Sequence, residues 1–212
     1  GVTASVTHTI GDHQVLAGFW FERATHEQFG PMVLVDANGN ANDIWLKEGR
    51  VLRPDGTPYQ SRDWTTISTS NQIFLQDTMS LMNDKLTINA GVRAPTMKRD
   101  FTNKANEGTN SGTDYNIEKT YREILPQLGA RYQIDNNNQL FFSLARNMKA
   151  PPNFVYYTTN NVVLVNGKPT MPVDVQAETS TNIDVGYRLQ SDKLTAQATA
   201  YSVDFKDRQA TA

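Results

Sequence analysis

The sequence predicts an all-β fold: an antiparallel transmembrane β-barrel, of which this chain is a partial piece of about eight strands. Three observations lead to this prediction. Apolar residues recur at every second position in run after run, the connections alternate between very short and long, and the apolar faces carry almost no charge. No apolar run approaches the roughly 18 residues of a membrane helix. A barrel is still allowed, because a barrel strand needs an apolar residue only at every second position.

Composition excludes several functional classes. With 212 residues, the chain is long enough to form a core. Only 38% of its residues are hydrophobic, and its mean hydropathy is -0.53. Twenty Lys and Arg against 22 Asp and Glu give a formal charge of -2 without any block of like charges, so we expect no nucleic-acid partner. The absence of cysteine removes disulfide scaffolds, thiolate zinc sites and cysteine nucleophiles.

The first four predicted strands each show one apolar face. In the second strand, Leu16 and Trp20 are exceptions that fall on the opposite face. The apolar positions are, in order, Val2, Ala4, Val6, His8 and Ile10; Val15, Ala17, Phe19 and Phe21; Ile73, Leu75, Met79 and Leu81; and Leu86, Ile88, Ala90, Val92 and Ala94. Upstream of the third set, "WTTISTSNQ" is polar on both faces, which is expected of a strand that continues well above the membrane.

The last four predicted strands repeat the alternation. Their apolar positions are Leu128, Ala130, Tyr132 and Ile134; Leu140, Phe142 and Leu144; Ile183, Val185, Tyr187 and Leu189; and Leu194, Ala196, Ala198 and Ala200. No segment has a convincing helical period, so the prediction contains strands and loops only.

The connections indicate a barrel rather than a sandwich. After strands one, three, five and seven come the short turns "GD", "MND", "DNNN" and "QSD", whose residues favour tight turns. After strands two, four and six come loops of about 20 to 40 residues, rich in Gly, Asn, Pro and Thr. An outer-membrane barrel has short turns at its periplasmic end and long loops at its extracellular end, whereas a β-sandwich has no reason to separate them.

One charged residue interrupts the apolar faces. Asp77 is in phase with Leu75 and Met79, and a charge on a lipid-facing position costs least near the membrane interface. It lies close to the "MND" turn, which predicts either a position near the interface or a bulge that rotates the side chain inward.

The chain resembles the β-barrel of TonB-dependent outer-membrane receptors, the ligand-gated transporters of Gram-negative bacteria. The stretches that carry the likeness are "FLQDTMSLMNDKLTINAGVR" at 74–93, "ILPQLGARYQIDNNNQLFFSLARNMKAPPNF" at 124–154 and "ETSTNIDVGYRLQSDKLTAQATAYSVDFKDRQ" at 178–209. The resemblance implies a plugged barrel of roughly 22 strands. Leu140, Phe142 and Leu144 would then face lipid. The segment Ala150-Pro151-Pro152 would mark where a strand leaves the membrane, because Pro cannot donate to a ladder.

The resemblance also implies a function and a set of partners. It implies energy-coupled uptake of a scarce nutrient, such as a siderophore, a vitamin or an oligosaccharide, in the outer membrane of a Gram-negative bacterium. The partners would be outer-membrane lipid, the ligand, a plug domain and TonB. No plug, TonB-contacting segment or terminal aromatic strand is recognisable, so we expect residues 1–212 to be an internal fragment of the barrel domain.

Two groups of residues are candidates for contact with a ligand or plug. Aromatic residues in the predicted loops offer rings on which a sugar or siderophore could stack: Trp45, Tyr59, Trp64, Tyr156 and Tyr157. They could equally pack the loops or form an aromatic belt. Polar residues on the inward face could bind a plug or line a path: Asn89, Arg93, Arg131, Asp184 and Arg188. Ordinary solvation of a lumen explains these polar residues equally well.

The sequence offers little for catalysis, and we expect no enzyme, no cofactor and no metal site. His8, His13 and His26 have neither nucleophile nor metal-ligand spacing. "VDANGN" and "RPDGTP" resemble calcium loops but favour simple turns. Two alternatives remain from the residues alone: a passive porin, which shares the alternation, and a soluble all-β binding or adhesion module, which would fit the low hydropathy.

Overall fold

The chain forms one large antiparallel sheet in a computed structural model that describes residues 1–43, 45, 47–107, 112–157, 162–171 and 173–208. The sheet follows the order β1-β2-β3-β4-β6-β7-β10-β11, with β5 paired to β4, and β8 and β9 form a separate small hairpin. The strands are β1 Val2–Ile10, β2 His13–Pro31, β3 Gln60–Leu81, β4 Leu86–Asn103, β5 Tyr115–Arg122, β6 Leu125–Gln133, β7 Asn138–Lys149, β8 Val163–Val165, β9 Lys168–Thr170, β10 Glu178–Gln190 and β11 Thr195–Lys206.

The segments β5 and β6 together form one long strand beside β4. Counted in this way, the sheet has the eight strands that the sequence predicts, and each of these eight is called a stave. Arg122 lies opposite Thr96 and Leu125 lies opposite Arg93, so the register with β4 is the same on both sides of the break. Pro95 of β4 faces the break. A proline has no N–H to donate, which interrupts the ladder locally.

The register places all the predicted apolar positions on one face, which we call the apolar face. One row of paired residues runs across the whole sheet on this face: Ile10, His13, Met79, Ile88, Ala130, Phe142, Val185 and Ala200. Paired residues share a face, and alternate residues lie on opposite faces. The prediction of eight apolar faces that form a continuous surface is therefore confirmed.

The strands are staggered in one direction across the sheet. The same row of partners begins beside the turn at Ile10, passes Met79 before the end of β3 at Leu81, and reaches Val185 well before the end of β10 at Gln190. Each hairpin therefore extends further past the row than the previous one. A progressive stagger of this kind is what tilted strands in a barrel require.

The short turns close four hairpins at one end of the strands, as predicted. In the turn after β3, three consecutive residues take positive φ: Met82 at 58°, Asn83 at 54° and Asp84 at 65°. Asp135 stabilises the turn after β6, where its side chain accepts hydrogen bonds from the backbone N–H groups of Asn137 and Asn138 at 2.8 and 2.9 Å. This end of the sheet is called the turn end.

The long connections lie at the other end, the loop end. They span residues 32–59, 104–114 and 150–177, and the last contains a short 3-10 turn, Asn153–Tyr156, and the β8–β9 hairpin. The strand β7 ends at Lys149, directly before Ala150-Pro151-Pro152, as predicted; that the strand leaves a membrane there stays a prediction. Among the described residues, no helix is long and apolar enough to span a membrane.

The structure corrects one sequence-based detail and excludes one of two alternatives for another. The fifth stave begins at Tyr115 rather than near 125, because β5 continues the same register towards the loop end. Asp77 is not rotated by a bulge: it pairs with Val15 and Ala90 in an unbroken register and stays on the apolar face. Its carboxylate Oδ2 lies 2.7 Å from Nδ1 of His13, which is on the same face.

Candidate functional site

The face opposite the apolar face, called the polar face, is covered near the turn end by short cross-strand hydrogen bonds. Asn89 donates to Thr78 at 2.9 Å, and Gln127 donates to Gln76 at 3.0 Å. Three further bonds of this kind join Arg131 to Thr87 at 3.2 Å, Gln139 to Gln133 at 2.9 Å and Arg188 to Gln197 at 3.0 Å. This part of the face is a hydrogen-bonded polar surface rather than an apolar core.

The register places the five predicted inward residues, Asn89, Arg93, Arg131, Asp184 and Arg188, on the polar face. Among the described residues no hydrogen bond or ion pair joins them into one cluster, and four of them, Asn89, Arg93, Arg131 and Arg188, hydrogen-bond to separate neighbours. Arg93 reaches across β6 to Asn147 at 3.1 Å, and the guanidinium of Arg188 lies 5.8 Å from the centre of the Phe141 ring. Their contact with a plug or a path stays a prediction.

Two phenylalanine rings cover glycines on the polar face. A Cβ on Gly18 would stand 2.3 Å from the ring of Phe74, and a Cβ on Gly186 would stand 2.3 Å from the ring of Phe141. Each ring belongs to the residue directly opposite its glycine in the ladder. Covering a strand glycine with a cross-strand aromatic ring removes an exposed stretch of backbone from water.

Near the loop end the two faces exchange character. On the polar face, Trp64, Phe101, Tyr115 and Ile117 are buried, and they pack against Val155, Tyr156 and Val162 of the 150–177 loop. On the opposite side the strands carry charges instead, among them the ion pair of Lys98 with Glu118 at 2.6 Å. The 150–177 loop therefore folds over the polar face and forms the main apolar core of the described chain.

Tyr156 is the centre of this loop core. It is fully buried, at 0% exposure, and its hydroxyl lies 2.7 Å from the hydroxyl of Tyr121. Its backbone carbonyl accepts a hydrogen bond from the Tyr115 hydroxyl at 3.1 Å. Burial raises the pKa of the Tyr156 phenol well above its ordinary value, so the group stays neutral and can serve as a hydrogen-bond donor.

Polar contacts fasten the edges of the same loop. Lys119 of β5 pairs with Asp174 at 2.6 Å, and the Asn153 side chain lies 2.9 Å from the His26 ring. The pKa of Asp174 is lowered, chiefly by the hydrogen bond from Lys119. These contacts join the loop to β2 and β5, on both sides of the buried aromatic cluster.

Turns and a partly exposed ion pair stabilise the 32–59 loop. The Asp36 side chain accepts hydrogen bonds from the backbone N–H groups of Asn38 and Asn40 at 2.8 and 2.9 Å, and Asp55 accepts one from Thr57 at 2.9 Å, so both stretches form turns. Arg53 donates to Glu107 at 2.9 Å, which attaches this loop to the next.

The predicted loop aromatics lie in different environments. Trp45 is 74% exposed, and the Asp43 carboxylate accepts a hydrogen bond from its backbone N–H at 2.8 Å. Tyr59 is half-buried, with the Arg53 guanidinium 5.4 Å from its ring centre. Trp64 lies in β3 rather than in a loop and is 7% exposed, and its ring is 4.7 Å from that of Tyr157. The roles of all five as ligand contacts stay predictions.

Sequence reasoning missed the β5 half of this cluster. Tyr115, Ile117 and Tyr121 point to the loop core, while Asn116, Glu118 and Arg122 point away, which is the same period-2 pattern used elsewhere. The signal was present, but it lay inside a stretch classified as loop by its content of Gly, Asn and Thr.

The chain is similar to one known protein family and to several solved receptors. The family described as "TonB dependent receptor-like, beta-barrel" matches residues 2–212. The ferric citrate transporter FecA has a TM-score of 0.66 at 17% identity, with 96% of this chain and 26% of that chain covered. For the ferric-catecholate import receptor Fiu from E. coli K12, the TM-score is 0.60 at 16% identity, and 96% and 29% are covered.

The similarity extends to a third solved receptor but to no curated protein. The ferric yersiniabactin uptake receptor FyuA from Yersinia pestis has a TM-score of 0.58 at 17% identity, with 98% of this chain and 28% of that chain covered. No curated protein matches the chain. This chain spans less than a third of the length of these solved receptors, and at such identities the likeness concerns the fold.

Proposed function

The chain belongs to the TonB-dependent receptor β-barrel family, and from this premise we propose that it forms part of the wall and binding loops of an outer-membrane receptor for energy-coupled nutrient uptake. The apolar face would meet the lipid of a Gram-negative outer membrane, and the polar face would line the lumen. In this proposal a plug domain, the remaining strands and the segment that contacts TonB belong to parts of the parent receptor outside residues 1–212.

One observation carries the proposal further than the family alone. The 150–177 loop packs on the polar face through Tyr156 and its neighbours, so it narrows the loop end on the side that would be the lumen. A passive porin needs an open path, whereas a receptor needs an extracellular surface that holds a ligand before transport. The fold-level neighbours carry ferric complexes in their names, so a ferric siderophore is the first ligand class to test, before vitamins and oligosaccharides.

The chain itself supplies structure rather than a reaction. Ligand contact would come from exposed rings at the loop end, of which Trp45 offers the largest free surface among the five predicted aromatics. Tyr156 would act indirectly, because its ring is buried and can only hold the loop in place. In this proposal, force through TonB moves the plug, and the residues of this chain stay in the wall.

The test is uptake by cells that produce the parent receptor under iron starvation. We expect a labelled ferric siderophore from a defined panel to enter only when the inner membrane is energised and TonB is present. Substitution W45A should weaken ligand binding about tenfold, as expected for loss of one stacked ring, while W45F should bind nearly as wild type. Uptake that continues in de-energised cells, in proportion to the outside concentration, would indicate a passive pore instead.

A further inference from the structure

The charged residues of β3, β4 and β5 are separated by face. The acids of these three fully described strands lie on the side of the apolar face: Asp63, Asp77, Asp100 and Glu118. The polar face of the same strands carries the cations Arg93, Arg99 and Lys119 instead. This part of the wall is therefore electropositive on the side that the 150–177 loop covers.

Two of these cations are direct neighbours. Arg99 of β4 lies opposite Lys119 of β5 in the ladder, and like charges in this position repel each other. Nη1 of Arg99 donates to the Ser68 hydroxyl at 2.5 Å, while its Nε is buried without a partner among the described residues. Within the same described ranges, no carboxylate lies at ion-pair distance from Arg99. The pair therefore holds positive charge that its own strands do not balance.

Asp174 of the 150–177 loop supplies a carboxylate to this pair. Its Oδ1 lies 2.6 Å from Nζ of Lys119, and its Oδ2 accepts a hydrogen bond from Gln176 at 2.7 Å. The side chain of Asp174 is 67% exposed and that of Lys119 is 33% exposed. An ion pair this exposed contributes little to stability, so another anion can replace it. Asp174 thus neutralises Lys119 but not Arg99.

The contact lies beside the residues that hold the loop. Tyr121 is two positions from Lys119 on the same face of β5, and its hydroxyl lies 2.7 Å from that of Tyr156. The charges of Lys119, Asp174 and Arg99 all act on the Tyr121 phenol, whose pKa is raised chiefly by burial. Loss of the contact between Lys119 and Asp174 would therefore free the edge of the loop next to its buried core.

We propose that Arg99 and Lys119 form a binding site for a polycarboxylate, in which the Asp174 carboxylate is an internal occupant that the ligand displaces. A first carboxylate of the ligand replaces Asp174 on Lys119, which releases the edge of the loop. A second carboxylate then reaches the buried Nε–H of Arg99 and forms a charge-assisted hydrogen bond. The second contact is intramolecular, so a polycarboxylate competes better than a single carboxylate.

This inference rests on the proposed function and adds two features to it. The first is a ligand class, molecules that carry several carboxylates. The second is a release of the 150–177 loop that the ligand itself triggers, because the ligand and Asp174 compete for the same Lys119. Both features can be measured without transport, so this inference and the proposed uptake function can fail separately.

The first experiment measures binding of radiolabelled tricarballylate, which has three carboxylates, to the whole parent receptor in a mild nonionic detergent. D174N removes the internal occupant and should raise the affinity about threefold, as expected for an exposed ion pair. R99Q should lower it about tenfold through loss of a charge-assisted hydrogen bond, and R99K should lie between R99Q and wild type. The matched controls D192N and K193Q change the same charges in the turn after β10 and should bind as wild type.

The second experiment measures backbone hydrogen exchange in residues 173–177 of the same receptor. Tricarballylate should accelerate this exchange in wild type, whereas in D174N it should be fast already and change little. Folding of each variant is checked by its heat-modifiable mobility on a gel.

Three results would overturn the proposal. The first is an affinity of D174N for tricarballylate that is no higher than that of wild type, absence of binding in both included. The second is exchange in residues 173–177 that slows or stays unchanged when tricarballylate saturates wild type. The third is competition by acetate that equals competition by unlabelled tricarballylate at the same concentration, since a single carboxylate cannot make both contacts.

Discussion

The pair His13 and Asp77 is a polar contact at the residue scale that lies on an otherwise apolar face. The two side chains are in adjacent register positions, with Nδ1 of His13 2.7 Å from Oδ2 of Asp77, while Oδ1 of Asp77 is buried without a partner. A carboxylate at the edge of a bilayer costs less than one at its centre, but it still loses solvation. The contact with His13 therefore offsets part of the solvation that the Asp77 carboxylate loses.

We predict that H13L lowers the free energy of unfolding by about 1 kcal/mol, because it leaves the Asp77 carboxylate unpaired at the membrane edge. The double substitution H13L/D77L should recover that loss or exceed wild type. The measurement is urea unfolding of the parent receptor refolded in lipid vesicles. A midpoint of H13L equal to that of wild type would show that the pair contributes nothing, and equal midpoints for H13L and the double variant would show that the unpaired carboxylate has no cost.

The glycines under the phenylalanine rings allow a matched comparison. In G186A the new Cβ would lie 2.3 Å from the Phe141 ring and 2.7 Å from the carbonyl oxygen of Ala198, so both a ring and backbone must move. Overpacking of this kind costs about 1 to 3 kcal/mol. At Gly129, on the same face, the nearest atom would be 3.8 Å away. We predict that G186A lowers the unfolding midpoint of the parent receptor clearly and that G129A does not; similar midpoints for the two variants would refute the packing argument.

At the scale of elements, the strands were predictable near the membrane and less so beyond it. In the band itself, a single rule applies, apolar out and polar in, and most positions from Val2 to Ala200 follow it; Asp77 on the apolar face and Phe74 and Phe141 on the polar face are exceptions. Beyond the band, β5 reverses that rule, since Tyr115 and Ile117 turn inward to a loop core and Glu118 turns outward to water. The alternation expected of membrane strands is therefore reversed in β5, and its residues were assigned to a loop.

The loop aromatics show the same limit of prediction from local sequence patterns. Trp64 and Tyr156 are 92 positions apart in the sequence numbering, yet both belong to the same buried cluster. Their meeting depends on how the 150–177 loop folds back over β3 and β4, which no local pattern encodes. The sequence could name aromatic candidates in loops, but it could not tell an exposed ring such as Trp45 from a buried one such as Tyr156.

The attachment between two loops should depend on pH. Glu107 accepts hydrogen bonds from Arg53 and from the Gln60 backbone N–H at 2.9 and 2.6 Å. Burial raises the pKa of its carboxyl, but these two donors lower it by more, so the net pKa lies below the ordinary 4.5. A carboxyl with a lowered folded-state pKa stabilises the folded contact above its unfolded pKa, and this stabilisation is lost as pH falls through the folded value.

We therefore predict that pepsin cleavage within residues 32–59 accelerates in wild type as the pH falls from 5 to 3, beyond the change in pepsin activity itself. In E107Q cleavage should already be faster at pH 5 and should change less. E48Q removes the same charge from the loop without touching Arg53 and should behave as wild type. A wild-type profile parallel to that of E107Q would refute the assigned role of the carboxylate.

At the scale of the whole molecule, the two faces and two ends define a piece of barrel wall. Apolar residues face one side across all eight staves, short turns lie at one end, and the loops and the loop core lie at the other. The alternation and the asymmetry of the connections were sufficient to predict this architecture, because both follow from a sheet that separates lipid from water. The ligand was not predictable, since it depends on loop positions that differ among barrels of the same fold.

The most direct test of the central claim, that this sheet is a lipid-exposed wall, is a spin-label scan of β10 in the parent receptor. The chain contains no cysteine, so single cysteines at positions 182 to 185, 187 and 188 can be labelled within it, after any cysteine elsewhere in the parent is replaced. In outer-membrane lipid we predict that labels at 183, 185 and 187 collide mainly with oxygen and those at 182, 184 and 188 mainly with a water-soluble nickel reagent. Equal accessibility at neighbouring positions, or the opposite alternation, would contradict the account.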